Sequence, residues 1–486
     1  MGKNKKINKL KGTPKAKLSP AVQSDLTHLV DKLIKKCTKV PGPASSSKQE
    51  CQDFEEIYNI VEQIRTIEKD IILPHYAREE QLKDLFKWAE KKNIKVRKLA
   101  ATKYEDEGYG LTCREPLDEG EVALEVPLSA MLTEKDASNT YLGTLIRRDP
   151  MLQEMGNVRL ALHLLVELLN DDSEWRPYVR SLPRQHVSPL YFTPRHIQTL
   201  KNSSLLGSCV KHYRNIGRQY AYFYRLLRSL PEARDWPLKE YFTYDAYRWS
   251  VSCVCSRVNS VPVAEGAPVL VLVPLWDLVN HRPGKMSTDF VREEGKLVCY
   301  ANRHFAAGEQ FSMHYGHRDN AELFRLSGFV VPDNPNDYAL VRCPLSTSDA
   351  DLAAKVALLE ALGVRDGEAL RLLWGDRPVT APLWAAAVIY CAKSDFLEEV
   401  RRSQSPAALL LEVQDDPRLA ELRAAVVKFL TVKFDLQERL LGRDTASVPA
   451  DSDDARDKLV VSALQAEARL FSSARQSLAS SAFVSS

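Results

Sequence analysis

The period of the apolar residues changes four times along the chain, and this alternation limits the fold more than any single motif. Val22, Leu26, Leu29, Val30, Leu33 and Ile34 recur with helical spacing. So do Phe54, Ile57, Ile60, Val61 and Ile64, and then Leu82, Leu85, Phe86 and Trp88. From Lys95 to Leu132, short runs such as Val122–Val126 alternate with turn signals such as Asp118-Glu119-Gly120, a strand pattern. Helical spacing returns over 158–169, 194–202, 210–230 and 244–258, and a second strand-rich block covers 269–315. After about residue 345 the spacing predicts helices over 349–363, 366–374, 381–402, 406–412, 417–441 and 454–476. The chain therefore reads as α+β: a β-fold split by a helical insertion, then an all-α domain. The expected units are a tail over 1–20, a helical region over 21–96, a β domain over 97–316 interrupted at about 133–258, and a helical domain over 345–486.

Composition removes several function classes. Hydrophobic residues make up 44% and charged residues 27% of 486, ordinary for a globular protein. The longest apolar run, Val269–Trp276, is broken by Pro274, so no membrane span is expected. No apolar segment follows the N-terminal lysines, so secretion is not expected either. Nine cysteines without disulfide-like spacing, only Cys253 and Cys255 being close, fit a reduced intracellular protein. Residues 1–20 hold seven lysines and no acid; with a net charge of +3 overall, that leaves −4 on the rest. The arm suits nuclear targeting, nucleic-acid contact or a solvated tail, while the body has no charge suited to nucleic acid. The expected location is the cytoplasm with access to the nucleus, and the expected state is a monomer.

No G-x-S-x-G, Walker or dinucleotide motif occurs. His304 and His314-x-x-His317 lack zinc-site spacing, and no metal is expected. Three segments matter in combination: Pro274-Leu275-Trp276-Asp277-Leu278-Val279-Asn280-His281, His314-Tyr315-Gly316, and Asn320-Ala321-Glu322-Leu323 leading to Ser327-Gly328-Phe329. Each alone reads as structural.

In this order, with Glu107-Gly108-Tyr109-Gly110-Leu111 well upstream, the segments resemble a SET-domain methyltransferase. The helical insertion and helical C-terminal domain are similar to the class of the Rubisco large-subunit methyltransferase, and within it to histidine methyltransferases acting on actin. The resemblance implies S-adenosylmethionine as methyl donor, no metal, and actin as protein substrate. It implies a cofactor pocket formed by Arg78, Glu107, Gly108, Tyr109, Arg257, Asp277, Leu278, Val279, Asn280, His281 and Ser327. An arginine there can pair with the cofactor carboxylate, and an acid or amide can take its ammonium. Tyr315 stands at the family's active-site tyrosine, Trp276 and Phe290 border the acceptor, and Arg218 is a candidate for holding substrate backbone.

The choice of acceptor rests on Ser256-Arg257-Val258-Asn259, where lysine methyltransferases of this class carry an aromatic at the fourth position. Asn259 Oδ1 can accept from one imidazole nitrogen and leave the other's lone pair free; its competing reading is a helix C-terminal cap. A lysine near pKa 10.4 must lose a proton at roughly 4.6 kcal/mol at pH 7, whereas histidine is mostly neutral. Transfer is expected at Nε2, the tele nitrogen. The histidine enzymes carry a glutamine at Val258 and a tyrosine at Phe290, so substrate detail stays open. A lysine methyltransferase and a silent actin-binding SET scaffold remain as alternatives.

Overall fold

The computed structural model describes residues 18–39, 42, 46–74, 76–262, 267–479 and 484–485. Of the basic arm expected at 1–20, all but the last three residues lie outside them. The N-terminal region is three helices, α1 (Pro20–Thr38), α2 (Ser47–Glu68) and α3 (Arg78–Lys91). Ser19 and Ser46 cap the first two through their side chains, and Pro20 sits in the first turn of α1, where a missing N–H costs nothing. The buried stripes Leu26, Val30, Leu33 and Phe54, Ile57, Val61, Ile64 face a common core, as their spacing predicts.

Strands β1 (Lys95–Val96), β2 (Leu99–Tyr104), β3 (Gly108–Cys113), β4 (Val122–Pro127) and β5 (Leu132–Thr133) precede the insertion. Strands β6 (Asn259–Val261), β7 (Val269–Leu272), β8 (Asn280–His281), β9 (Thr288–Val291), β10 (Lys296–Tyr300) and β11 (Gln310–Met313) follow it. They form sheets ordered β1-β4-β10-β9, β2-β3-β11-β8 and β5-β7-β6. The last sheet closes the insertion on itself. Thr133 and Asn259 both register with Val271, one on each side of β7, so the chain leaves and re-enters the β-fold at adjacent points.

The insertion's main helices are Gly156–Leu168, Arg176–Ser181, Pro194–Thr199, Leu206–Ser229 and Tyr244–Arg257. The last is buried almost all round, capped by Thr243 accepting from Ala246 N–H at 3.0 Å. Among the described residues, no helix is long and apolar enough to cross a membrane.

The C-terminal region is mainly helical, with Leu352–Ala361, Ala381–Cys391, Ser394–Arg402, Pro406–Glu412, Ala420–Ala446 and Ala455–Ser477. Two expectations are corrected. The predicted helix over 366–374 is strand β13 (Ala369–Leu373), and 381–402 is two helices rather than one. Strand β13 joins β12 (Tyr338–Arg342), β14 (Val379–Thr380) and β15 (Val484–Ser485) in a small sheet, which starts ahead of the boundary expected at 345. Leu370 and Leu372 are buried while Arg371 between them is exposed, a period of two that Ala- and Leu-rich composition hides.

Candidate active site

After β7 the chain must turn sharply to bring Trp276 and Asp277 inward. Leu275 makes that turn at φ 63°, ψ −32°, a conformation strained for a branched residue, and its side chain is buried. The short turn Trp276–Leu278 leads into β8, which pairs in parallel with β11: Asn280 with Ser312, His281 with Met313. Tyr315 follows two residues later. Its backbone N–H donates to His281 Nδ1 at 3.1 Å and its hydroxyl to the Val279 carbonyl at 2.7 Å. Burial pushes the phenol up to about 12, so it remains a donor. Burial and neighbouring His314 hold His281 at about 4, and it is a neutral ring.

These segments line a cavity of about 540 Å³ together with Arg78, Asp106, Glu107, Gly108, Ser256, Arg257, Val258, Asn259 and Ser327, a size suited to a small-molecule ligand. Arg78 opens α3 and donates Nε–H to the Ser181 carbonyl at 2.8 Å, while Arg257 ends the helix Tyr244–Arg257. Asp277 Oδ2 accepts from Tyr178 at 2.6 Å and lies 3.7 Å from Arg257 Nε. Burial lifts Asp277 to about 6, against the pull of Arg257 and Tyr178, and lowers Arg78 to about 10 with help from Arg257. Above pH 6 Asp277 is charged beside Arg78 and Arg257, and Asp106, Glu107 and Arg318 complete the charged lining of the cavity.

Asp277 Oδ1, Ser327 Oγ and His314 Nδ1 are buried without a hydrogen-bond partner. Orphaned polar atoms on one cavity, lined by arginines and carboxylates in equal number, fit a ligand carrying both a carboxylate and donor groups. Gly108 has φ +72°, and a Cβ there would meet nothing within 4 Å, so a ligand can come close to its backbone.

Most of the expected residues converge here; others do not. Leu278 and Val279 are core, Val279 serving through its carbonyl. Tyr109 lies under Arg78, 5.2 Å from ring centre to guanidinium, and faces a separate groove of about 1050 Å³ between α3 and β1–β2. That groove has none of the orphaned atoms. Phe290 lies two residues beyond Thr288 on the same face of β9, past the cavity mouth. Arg218 is elsewhere: its guanidinium approaches Asn215 at 3.5 Å and bears on Cys37 of α1, because that face of its helix packs on α1.

Asn259 is not simply a helix cap. It opens β6, and its Nδ2 donates to the Arg257 carbonyl at 3.0 Å, so the cap contact uses the donor and leaves Oδ1 as the acceptor. Sequence reasoning missed Tyr178, Gln185, His186, Met286 and Arg318. No local motif marks them; Tyr178 is 99 residues from Asp277. His186 lies 3.5 Å from the Cys253 thiol, but burial holds the imidazole at about 3 and the thiol at about 12, so the pair is not an activated nucleophile.

A split β-fold whose parallel β8–β11 pair carries the pocket defines a SET-domain protein, and a SET domain family model matches residues 108–316. Two solved structures share the fold at 19% identity. The SET domain of LSMT bound to lysine and AdoHcy aligns with a TM-score of 0.62 over 81% of this chain and 90% of that one. Rubisco LSMT bound to AdoMet aligns with a TM-score of 0.58 over the same shares. The chain belongs to the actin-histidine N-methyltransferase family: it is 35% identical to the Canis lupus familiaris member over 82% of this chain and 68% of the relative. It is likewise 35% identical to the Gallus gallus member, over 82% of this chain and 67% of that protein.

Proposed function

We infer that the chain is an S-adenosylmethionine-dependent protein-histidine N-methyltransferase that methylates actin. Family membership carries the reaction, and the cavity of orphaned polar atoms supports the cofactor. When bound, S-adenosylmethionine supplies a methyl group already made electrophilic by its sulfonium. Arg78 or Arg257 would pair with the cofactor carboxylate, Asp277 Oδ1 with its ammonium, and Asn280 and Ser327 with its remaining polar groups. The protein's remaining work is to present a neutral nitrogen in line with the methyl group.

Asn259 Oδ1 would accept the N–H of the acceptor ring, fixing the tautomer and freeing Nε2 for transfer. Trp276, buried and lining the cavity, offers a flat wall. Tyr315 would hold the Val279 carbonyl in place and close the site's polar edge. No side chain needs to be a general base, because a histidine near pKa 6.5 is already mostly neutral at pH 7.

The test is mass spectrometry of unmethylated actin after incubation with the protein and S-adenosylmethionine. One added methyl on a single histidine is the expected result. Methylation of lysines with no histidine product would overturn the role given to Asn259.

A further inference from the structure

A short helix of the insertion, Arg176–Ser181, reaches the cavity from behind and touches both of its charged sides. The Ser181 carbonyl accepts from Arg78 Nε at 2.8 Å. Three residues earlier, the fully buried Tyr178 donates its hydroxyl to Asp277 Oδ2 at 2.6 Å. Ser181 Oγ bonds the Tyr178 carbonyl at 2.7 Å, so the two contacts are tied together within one turn. The result at Asp277 is asymmetric. Tyr178 engages Oδ2, with Arg257 Nε 3.7 Å away, whereas Oδ1 is buried with no partner. A carboxylate held by one oxygen cannot rotate freely, and its second oxygen is aimed.

We propose that Tyr178 is a positioning residue of the ligand site: by fixing Oδ2 it presents Asp277 Oδ1 to the ammonium of an amino-acid nucleoside. The proposal rests on the reading of this cavity as the cofactor site. Several groups surround the carboxylate: Arg257 and Cys253 from the helix Tyr244–Arg257, Arg78 from α3, Tyr178 from the insertion, and Tyr315 beyond β11. Burial raises Asp277 to about 6, and Arg257, the Tyr178 bond and Arg78 restrain the rise. Burial also keeps the Tyr178 phenol well above its ordinary value, so it stays a donor. Without the hydroxyl, the carboxylate should protonate at higher pH and lose its hold on a cation.

The experiment measures binding of S-adenosylhomocysteine by calorimetry between pH 5.5 and 8.5, for the unmodified protein, Tyr178→Phe, Asp277→Asn and the double variant. The homocysteine product binds without turnover, so the readout is independent of activity. Tyr178→Phe should bind about tenfold more weakly at pH 7 and recover part of the loss at pH 8.5, its acid limb having moved upward. In the Asp277→Asn background the same change should cost less than twofold, because the group it positions is gone. An unmoved acid limb in Tyr178→Phe overturns the proposal, as does an equal loss in both backgrounds. If Tyr178→Phe alone does not fold, the comparison of Asp277→Asn with the double variant decides, since losing a hydrogen bond to a buried neutral amide costs less than losing one to a buried carboxylate. A further loss there overturns the proposal, and none supports it. Binding by Asp277→Asn equal to the unmodified protein overturns the proposal too, since the ammonium would not need that carboxylate, whereas no binding by the unmodified protein would overturn the cofactor reading of the cavity.

Discussion

A Cβ on Gly110 would stand 2.8 Å from Asn280 Nδ2, and equally close to Gln310 Nε2, so any larger residue there would push these two pocket-strand amides aside. The Asn280 amide in turn donates to Glu107 Oε2 at 3.3 Å, linking the β3 turn to β8.

Gly110→Ala should therefore act on the pocket more than on the fold. The atoms in the way are ends of side chains, which can yield, so the stability cost falls at the low end of about 1–3 kcal/mol for overpacking. Displacing Asn280 should weaken S-adenosylhomocysteine binding about tenfold. Calorimetry beside a melting curve separates the two effects.

Asn259→Ala should reduce kcat/KM for a histidine substrate roughly tenfold, the worth of one neutral hydrogen bond in a desolvated site. Asn259→Phe should reduce it further by filling the cavity wall. Cofactor affinity should be little changed in both, because among the described residues the amide's hydrogen bond is to the Arg257 carbonyl and not to a group assigned to the cofactor. Steady-state kinetics with a histidine-containing actin peptide checks this.

Tyr315→Phe removes the hydrogen bond its hydroxyl donates and leaves the buried Val279 carbonyl without that donor. A loss of about 1–3 kcal/mol in stability is expected. Transfer should slow at least tenfold in kcat while cofactor KM changes less, since the His281 contact is made by the Tyr315 backbone and survives.

Glu68 predicts a pH effect on stability. It is buried where α2 meets two insertion helices, accepting from the Tyr220 hydroxyl at 2.5 Å and the Tyr244 N–H at 2.7 Å. Burial lifts its carboxyl from 4.5 to about 7. The folded pKa exceeds the unfolded one, so this group's contribution is fully present below 4.5 and lost as pH rises through 7. The melting temperature should fall between pH 5 and 8 more in the unmodified protein than in Glu68→Gln, whose amide cannot ionise.

Much of this architecture is written in local spacing. The stripes of α1 and α2, the turn glycines between strands and the return to helical spacing after the insertion begins are all short-range signals. What could not be read is non-local. Strand β13 owes its conformation to β12, some way upstream, and to β14, which in turn pairs with a strand at 484–485. Its own Ala-Leu-Arg-Leu-Leu suits a helix equally well. Asn259 looked like a cap because it follows a helix; its registration with Val271 makes it a strand residue too. The pocket's core motifs were legible because they are contiguous, from Trp276 to His281. Tyr178 was not, because nothing near it in sequence mentions Asp277. Leu275 was invisible for another reason: its backbone strain occurs at a residue type that gives no hint of it.

The parallel pairing of β8 with β11 has a consequence for how the protein is made. The cavity draws on residues from Arg78 to Phe329, and its central strand pair joins stretches that the β9–β10 hairpin separates. A nascent chain cannot assemble the pocket until residues beyond 329 have emerged, long after the N-terminal helices could have packed. Binding competence is therefore a late event in folding, and the ligand would act as a clamp that rewards only a finished polypeptide.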